Sequence, residues 1–168
     1  MAISPATRRR LEIQGFVGLD DDALAAVAPW LRLAPALCAT IGAVGTLLAS
    51  PPLLWGLATA AALGAVLPFH PFDLIYSAGI RHIIGAPPLP PNRAPRRFAC
   101  GVGCAWLLVA GSLFAANATI AGYILGGAFV ATASLVATTH VCIPSLVYGG
   151  ACSRLMAPAR ARRASRGP

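Results

Sequence analysis

The sequence predicts an all-α membrane protein with four transmembrane helices arranged as two antiparallel hairpins. Of the 168 residues, 57% are hydrophobic and only 11% are charged, and the mean hydropathy is +0.72. Four apolar stretches without any charge approach the length of about 20 residues that a helix needs to cross the hydrocarbon core. This composition excludes a disordered chain and disfavours a water-soluble fold.

The N-terminal region predicts a short helix on the membrane surface. Asp20, Asp21 and Asp22 precede the apolar run 23–28, and negative charge is favourable at a helix N-terminus. Pro29 and Pro35 then bend the chain before it enters the bilayer. We therefore expect an interfacial helix followed by the first span.

The four predicted spans come in two closely connected pairs. They run over Leu33–Ala49, Pro52–Phe69, Phe98–Ala116 and Thr119–Thr139. Two residues separate the members of each pair, which requires a tight antiparallel turn. We expect residues 1–156 to form one membrane domain and the basic segment 157–168 to be disordered.

The arginines predict the orientation of the spans. All thirteen basic residues are arginine, against five acids, for a net charge of +8. They lie before span one, between spans two and three, and after span four: Arg8, Arg9, Arg10, Arg32, Arg81, Arg93, Arg96, Arg97, Arg154, Arg160, Arg162, Arg163 and Arg166. Because cytoplasmic loops carry the excess of arginine, we expect a multi-pass protein with its arginine-rich side in the cytoplasm. Both termini would then lie inside, where the arginines face anionic lipid.

The loop between spans two and three predicts a cytoplasmic interfacial helix and a proline-rich strap. Asp73 is placed to cap a helix over residues 74–84, and Gly85 is a suitable stop. Five prolines between residues 87 and 95 then favour a stiff, extended connection.

Polar and sulfur-bearing side chains concentrate at the predicted cytoplasmic ends of the spans. The candidate site residues are His70, Asp73, Arg96, Arg97, Cys100, Cys104, His140 and Cys142. Cys100 and Cys104 share one helix face, so they can present two thiolates to a soft metal or a common substrate. The alternative is that each cysteine is simply a small hydrophobic residue, while Arg96 and Arg97 either anchor the topology or hold a phosphate or carboxylate.

No complete catalytic or metal-binding motif accompanies these residues. The P-loop, the nucleophile elbow and the H-E-x-x-H motif are absent from the sequence. We therefore predict no metal and no cofactor, and leave open whether the chain is an enzyme, with a non-enzyme favoured.

Several segments resemble a family of small bacterial integral-membrane proteins classified as a domain of unknown function. The similar segments are HPFDLIY (70–76), GIRH (79–82), PPLPPN (87–92), APRRFACG (94–101) and HVCIPSLVY (140–148). Together with the arginine distribution, the resemblance implies a multi-pass protein of the bacterial cytoplasmic (inner) membrane and no established activity. It also implies that distant members carry a second cysteine where this chain has Ser145, a departure that weakens a dithiol mechanism.

Three functions are compatible with these observations. The leading hypothesis is an accessory or scaffold protein of the membrane. The alternative is a thiol-redox, sulfur-handling or metal-handling protein, and a small-solute permease is weaker because no acid or base lies within a span. Nucleic acid is a poor partner for arginines tethered at a membrane. A membrane-protein partner or homodimer stays open, since Gly122 and Gly126 form a G-x-x-x-G motif.

Overall fold

The computed structural model describes residues 3–151, and the described chain is helical with no strand. The helices are α1 (Pro5–Ile13), α2 (Asp21–Val27), α3 (Leu33–Leu47), α4 (Pro51–Val66), α5 (Arg81–Ile84), α6 (Ala94–Ala115), α7 (Thr119–Thr139) and α8 (143–151). A 3₁₀ turn (Trp30–Arg32) precedes α3, and a π-helix (Ile75–Ile80) precedes α5. The predicted all-α class is confirmed, and the tail predicted over 157–168 lies outside the described residues.

Three helical segments are long and apolar enough to cross a membrane. By length and composition these are Trp30–Leu47, Ala94–Ala115 and Thr119–Thr139. The fourth apolar helix, α4, has 16 residues and is shorter than a typical span. The described chain therefore has the character of a membrane protein.

The helix ends differ from the predicted span boundaries for reasons of local geometry. α4 ends at Val66 rather than Phe69, because Pro68 holds the preceding Leu67 in an extended conformation (ψ 157°). α6 begins at Ala94 rather than Phe98, because Pro95 lies in the first helical turn, where its missing N–H costs no hydrogen bond.

The four long helices pack as a bundle with a second apolar cluster at one end. α4 packs mainly against α6, and α3 mainly against α7. Leu54, Leu57, Leu107, Phe114 and Phe129 are buried at the centre of the bundle. The N-terminal segment forms its own cluster, with buried residues Leu11, Phe16, Leu24, Val27 and Leu31. This arrangement places α1 and α2 beside the end of the bundle where α6 begins and α7 ends.

α2 forms where the N-terminal region predicts a helix, while its position on the membrane surface stays a prediction. Asp20 Oδ1 accepts a hydrogen bond of 2.7 Å from the backbone N–H of Ala23, and Asp21 and Asp22 occupy the first turn. The acidic run thus caps the helix in the expected way.

The central loop is helical as far as the predicted glycine, but Asp73 does not cap this helix as predicted. The helical stretch ends at Gly85, which has φ +63°. Asp73 was predicted to cap this helix, and that prediction is wrong. Its carboxylate instead accepts from the backbone N–H of His70 at 3.2 Å and from Arg96 Nη2 at 3.4 Å. The loop is thereby tied to the start of α6.

Candidate functional site

A cavity of about 140 Å³ lies at the end of the bundle where α6 begins. Cysteines from three separate segments line it: Cys38 of α3, Cys100 of α6 and Cys142 between α7 and α8. The polar side chains of Gln14, His70, Arg96 and Thr132 also line it, and most of the remaining wall is apolar, including Trp106, Leu107, Phe129, Ala133 and Val136. The four described cysteines are free thiols.

Four of the eight predicted site residues meet at this cavity. They are His70, Arg96, Cys100 and Cys142. Asp73 lies behind Arg96 and contacts it directly. The other three, Arg97, Cys104 and His140, are not among the described residues that line the cavity.

The turn before the π-helix fixes His70 in a buried position. The residue is 4% exposed, and its side-chain Nδ1 accepts a hydrogen bond of 3.3 Å from the backbone N–H of Phe72. Burial lowers the pKa of His70, so the ring is neutral at pH 7. Because Nδ1 accepts, the proton of the neutral ring is carried by Nε2.

Gly64 lets α4 approach the site closely. A Cβ at this position would lie 2.7 Å from His70 Cδ2 and 3.2 Å from Cys100 Sγ. Both side chains therefore pack directly on the glycine backbone, which brings His70 and Cys100 together.

Arg96 is a buried cation, and one of its guanidinium nitrogens has no hydrogen-bond acceptor among the described residues. The residue is 8% exposed, and its guanidinium carbon lies 5.3 Å from the centroid of the Phe16 ring. Nη2 is 3.4 Å from Asp73 Oδ1, in an ion pair that is buried on both sides. Nη1 is buried and has no hydrogen-bond partner within the described part of the chain. The guanidinium is thus only partly satisfied by hydrogen bonds to the described residues.

Cys142 stands at the N-terminus of α8. Its carbonyl accepts from the backbone N–H of Leu146 at 3.1 Å, as in the first turn of a helix. Negative charge is favourable at such a helix end. The buried hydroxyl of Ser145 lies 3.2 Å from Cys142 Sγ and 3.2 Å from the carbonyl oxygen of Pro95. Ser145 thus occupies the place where a second thiol would face Cys142.

Arg97 and Cys104 stabilise the packing of the helices and do not line the cavity. Arg97 donates from Nε to the carbonyl of Ala65 at 2.8 Å and from Nη2 to that of Val66 at 2.6 Å. It therefore donates to two carbonyls at the C-terminal end of α4, where no following helical turn supplies backbone N–H donors. Cys104 is partly buried against the central core of the bundle, one turn from Cys100.

His140 fastens the N-terminal segment to the end of α7. It has φ +57°, its carbonyl accepts from Gln14 Nε2 at 2.7 Å, and its Nε2 accepts from Arg32 Nε at 2.8 Å. Burial, and then the charges of Arg32 and Arg10, lower the pKa of His140 to about 4. The neutral imidazole is therefore the form that fits this position.

The candidate set from the sequence did not include three residues of the site. Gln14 and Cys38 line the cavity, and Ser145 contacts Cys142. The signal for Ser145 is the run Cys142-Ile143-Pro144-Ser145, which has the spacing of a C-x-x-C motif with its second thiol replaced. Gln14 carries no such signal, because only tertiary packing brings α1 to the cavity.

Residues 3–151 contain no group of three histidine, cysteine, aspartate or glutamate side chains placed to hold a metal ion. The metal-handling hypothesis thus lacks a ligand set in this part of the chain.

A family model described as "Domain of unknown function (DUF4395)" matches residues 28–151. The match covers most of the chain, from the end of α2 through α8, so the chain belongs to this family. Comparison with curated proteins and with solved structures found no match.

Proposed function

We propose that this DUF4395 member is a four-span protein of the cytoplasmic membrane in which Cys142 exchanges sulfur bonds with a small molecule in the cavity. The observation that carries the proposal is the placement of cysteines from three segments around one cavity, with one of them at a helix N-terminus. Thiols at helix N-termini belong to the environments where reactive cysteines are found.

The turn geometry and the arginines support the four-span arrangement. Only residues 48–50 connect α3 to α4, so α4 has to return along the bundle from the end of α3. Sixteen residues of helix span about 24 Å. Arg97, near the start of α6, donates hydrogen bonds to the last carbonyls of α4, so the end of α4 lies beside the start of α6. The positive-inside rule assigns the arginine-rich end to the cytoplasm.

The proposed chemistry is a single thiol exchange. The Cys142 thiolate attacks one sulfur of a small disulfide, a new S–S bond forms to Cys142, and the other half leaves as a thiolate that takes up a proton. Ser145 has no sulfur with which to resolve the mixed disulfide. A second thiol must therefore attack the mixed disulfide to free Cys142, and Cys38 and Cys100 line the same cavity.

Methyl methanethiosulfonate tests the proposal because it is small enough to probe the cavity. It transfers a methylthio group to a thiolate and releases methanesulfinate, and peptide mass spectrometry follows each cysteine in detergent-solubilised protein. Cys104 is the matched control, and a Cys152→Ser background removes the cysteine outside the described residues.

We expect Cys142 to be modified at least tenfold faster than Cys104. The fast phase should be lost in Cys142→Ser and kept in Cys104→Ser. Equal, slow modification of both cysteines would contradict thiol exchange and favour the accessory or scaffold role. That role and the permease role otherwise remain predictions.

The topology is tested separately with reporter fusions. We expect cytoplasmic reporters to be active when fused within residues 87–92, and periplasmic reporters to be active when fused at Ser50 or Asn117. Cytoplasmic activity at Asn117 would contradict the four-span arrangement.

A further inference from the structure

The wall of the cavity carries no unmatched charge. Among the described residues that line the cavity, Arg96 is the only charged one, and Asp73 neutralises it in an ion pair that is buried on both sides. His70 is neutral because burial lowers its pKa. Since an unpaired charge is costly to bury, a charged ligand would find no partner for its charge in this wall.

Three further polar side chains of the lining are committed to the backbone. Gln14, Thr132 and Trp106 each donate to a backbone carbonyl, at 2.7, 2.9 and 3.0 Å. These donors are therefore in use and do not face a bound carboxylate, sulfonate or phosphate group. The Cys142 thiolate would itself repel an anion, and no carboxylate is among the described lining residues to hold a cation.

The size and the apolar surface of the cavity define the body of the ligand. Trp106, Phe129 and Val136 present apolar surface to it. An apolar cavity of about 150 Å³ holds one benzene molecule, so a cavity of about 140 Å³ suits a molecule of about six non-hydrogen atoms. Cys100 and Cys142 line the same space, so a sulfur atom of such a molecule lies near a thiol.

We infer that the cavity selects a small uncharged sulfur compound, of the class of the short dialkyl disulfides, over disulfides that carry carboxylate or ammonium groups. This inference rests on the proposed function and names its substrate class. The Cys142 thiolate forms a bond to one sulfur of the dialkyl disulfide, and the other alkylthio group leaves with the electron pair of the broken S–S bond and takes up a proton. One thiol and one disulfide thus become another thiol and another disulfide, with no oxidant or reductant consumed.

Pairs of methanethiosulfonates that differ in charge but hardly in shape test this selection. Propyl and 2-aminoethyl reagents compare a methyl group with an ammonium group, and 3-methylbutyl and 2-carboxyethyl reagents compare an isopropyl group with a carboxylate. Each reagent is added at neutral pH to detergent-solubilised protein in the Cys152→Ser background, and peptide mass spectrometry gives the rate at Cys142. Division by the rate of the same reagent with 2-mercaptoethanol removes differences in intrinsic reactivity.

An exposed thiol on the same bundle corrects for the partition of uncharged reagents into detergent. Leu135→Cys introduces this thiol near the end of α7, at a residue that is 37% exposed and is not among the described lining residues. Relative to the introduced thiol, we expect Cys142 to favour the uncharged reagent of each pair by at least tenfold.

Binding without reaction gives an independent readout. Diethyl sulfide resembles a short dialkyl disulfide in shape and polarity, but it has no S–S bond to exchange. Because a ligand that binds the folded state stabilises it, we expect diethyl sulfide to raise the thermal unfolding temperature. Ala133→Leu, at a buried residue of the lining, should fill the cavity and abolish this rise. Ala131→Leu, at an exposed position on the same helix, is the matched control and should keep it.

The outcomes distinguish this inference from the proposed function. If Cys142 reacts rapidly but a charged reagent does as well as its uncharged partner, relative to the Leu135→Cys thiol, selection of an uncharged compound is overturned and thiol exchange stands. If Cys142 reacts with none of the four reagents while diethyl sulfide stabilises the native protein but not Ala133→Leu, thiol exchange is overturned and the site for an uncharged sulfur compound stands. No rise in the native protein, or an equal rise in Ala133→Leu, would overturn that site.

Discussion

Removing the charge of Asp73 should destabilise the protein strongly, because it leaves the Arg96 charge buried without a partner. In the ion pair, the side chains of Arg96 and Asp73 are only 10% and 6% exposed. Breaking a buried pair by removing one partner costs roughly 3 to 5 kcal/mol. The N–O distance of 3.4 Å is longer than usual for a charge-assisted hydrogen bond, so we expect Asp73→Asn to cost about 3 kcal/mol. Asparagine keeps an oxygen that can accept from the His70 N–H, which isolates the effect of charge.

The assay is equilibrium unfolding in detergent, followed by tryptophan fluorescence, for Asp73→Asn, Arg96→Gln and the double variant. The double variant should lose less stability than the two single changes together, because it leaves no unpaired charge. Asp21→Asn is the control, since Asp21 pairs with Arg8 at the surface and its side chain is 61% exposed. If Asp73→Asn lowered the free energy of unfolding by no more than Asp21→Asn, the assignment of a buried ion pair would be wrong.

Two further predictions concern the glycine under the site and the histidine at the end of α7. Gly64→Ala should lower the free energy of unfolding by about 1 to 3 kcal/mol, because the new methyl group would meet His70 and Cys100. Gly56→Ala on the same helix is the control and should not lower it, since no described atom lies within 4 Å of the added Cβ. Equal effects of the two changes on thermal unfolding would contradict the close packing of His70 and Cys100 on Gly64. The contribution of His140 to the free energy of unfolding should be complete above pH 6.5 and should be lost as the pH falls towards 4. The reason is that the pKa of His140 is lowered to about 4 in the folded protein, so the unfolded chain binds a proton more readily in this range. His140→Asn, which tolerates the positive φ, should reduce this fall between pH 7 and pH 4.5, and an unchanged pH profile would show that His140 does not titrate in this way.

Local sequence signals predicted the helices well, because each depends on a few neighbouring residues. Asp20 ahead of the run 23–28 gave a capped helix, and Gly85 ended the helical part of the central loop. The same signals misplaced helix ends near proline: Pro68 shortened α4, while Pro95 fitted inside the first turn of α6. Asp73 was assigned a local capping role, whereas its carboxylate faces Arg96, a partner 23 positions away.

The site was predictable only in part, because its assembly depends on how the helices are rotated and paired. Cys100 lies near the start of predicted span three and Cys142 just after the end of span four, so both were placed at one end of the bundle, and both line the cavity. Periodicity put Cys104 on the same helix face as Cys100, but at its depth, one turn further along α6, that face packs against the central core, and Cys104 is not among the cavity-lining residues. The pairing of α3 with α7 and of α4 with α6 decides which cysteines face one another, and the sequence contains no signal for that pairing.

Bridging of cysteines in the intact protein tests the central claim, that thiols from separate segments meet at one cavity. A short bifunctional methanethiosulfonate with a two-carbon spacer joins only thiols that lie close together, and peptide mass spectrometry identifies the joined pair. We predict a bridge between Cys142 and Cys100 or Cys38 that persists in Cys104→Ser and disappears in Cys142→Ser. A bridge from Cys142 to Cys104, or no bridge while single-site labelling proceeds, would contradict the proposed site.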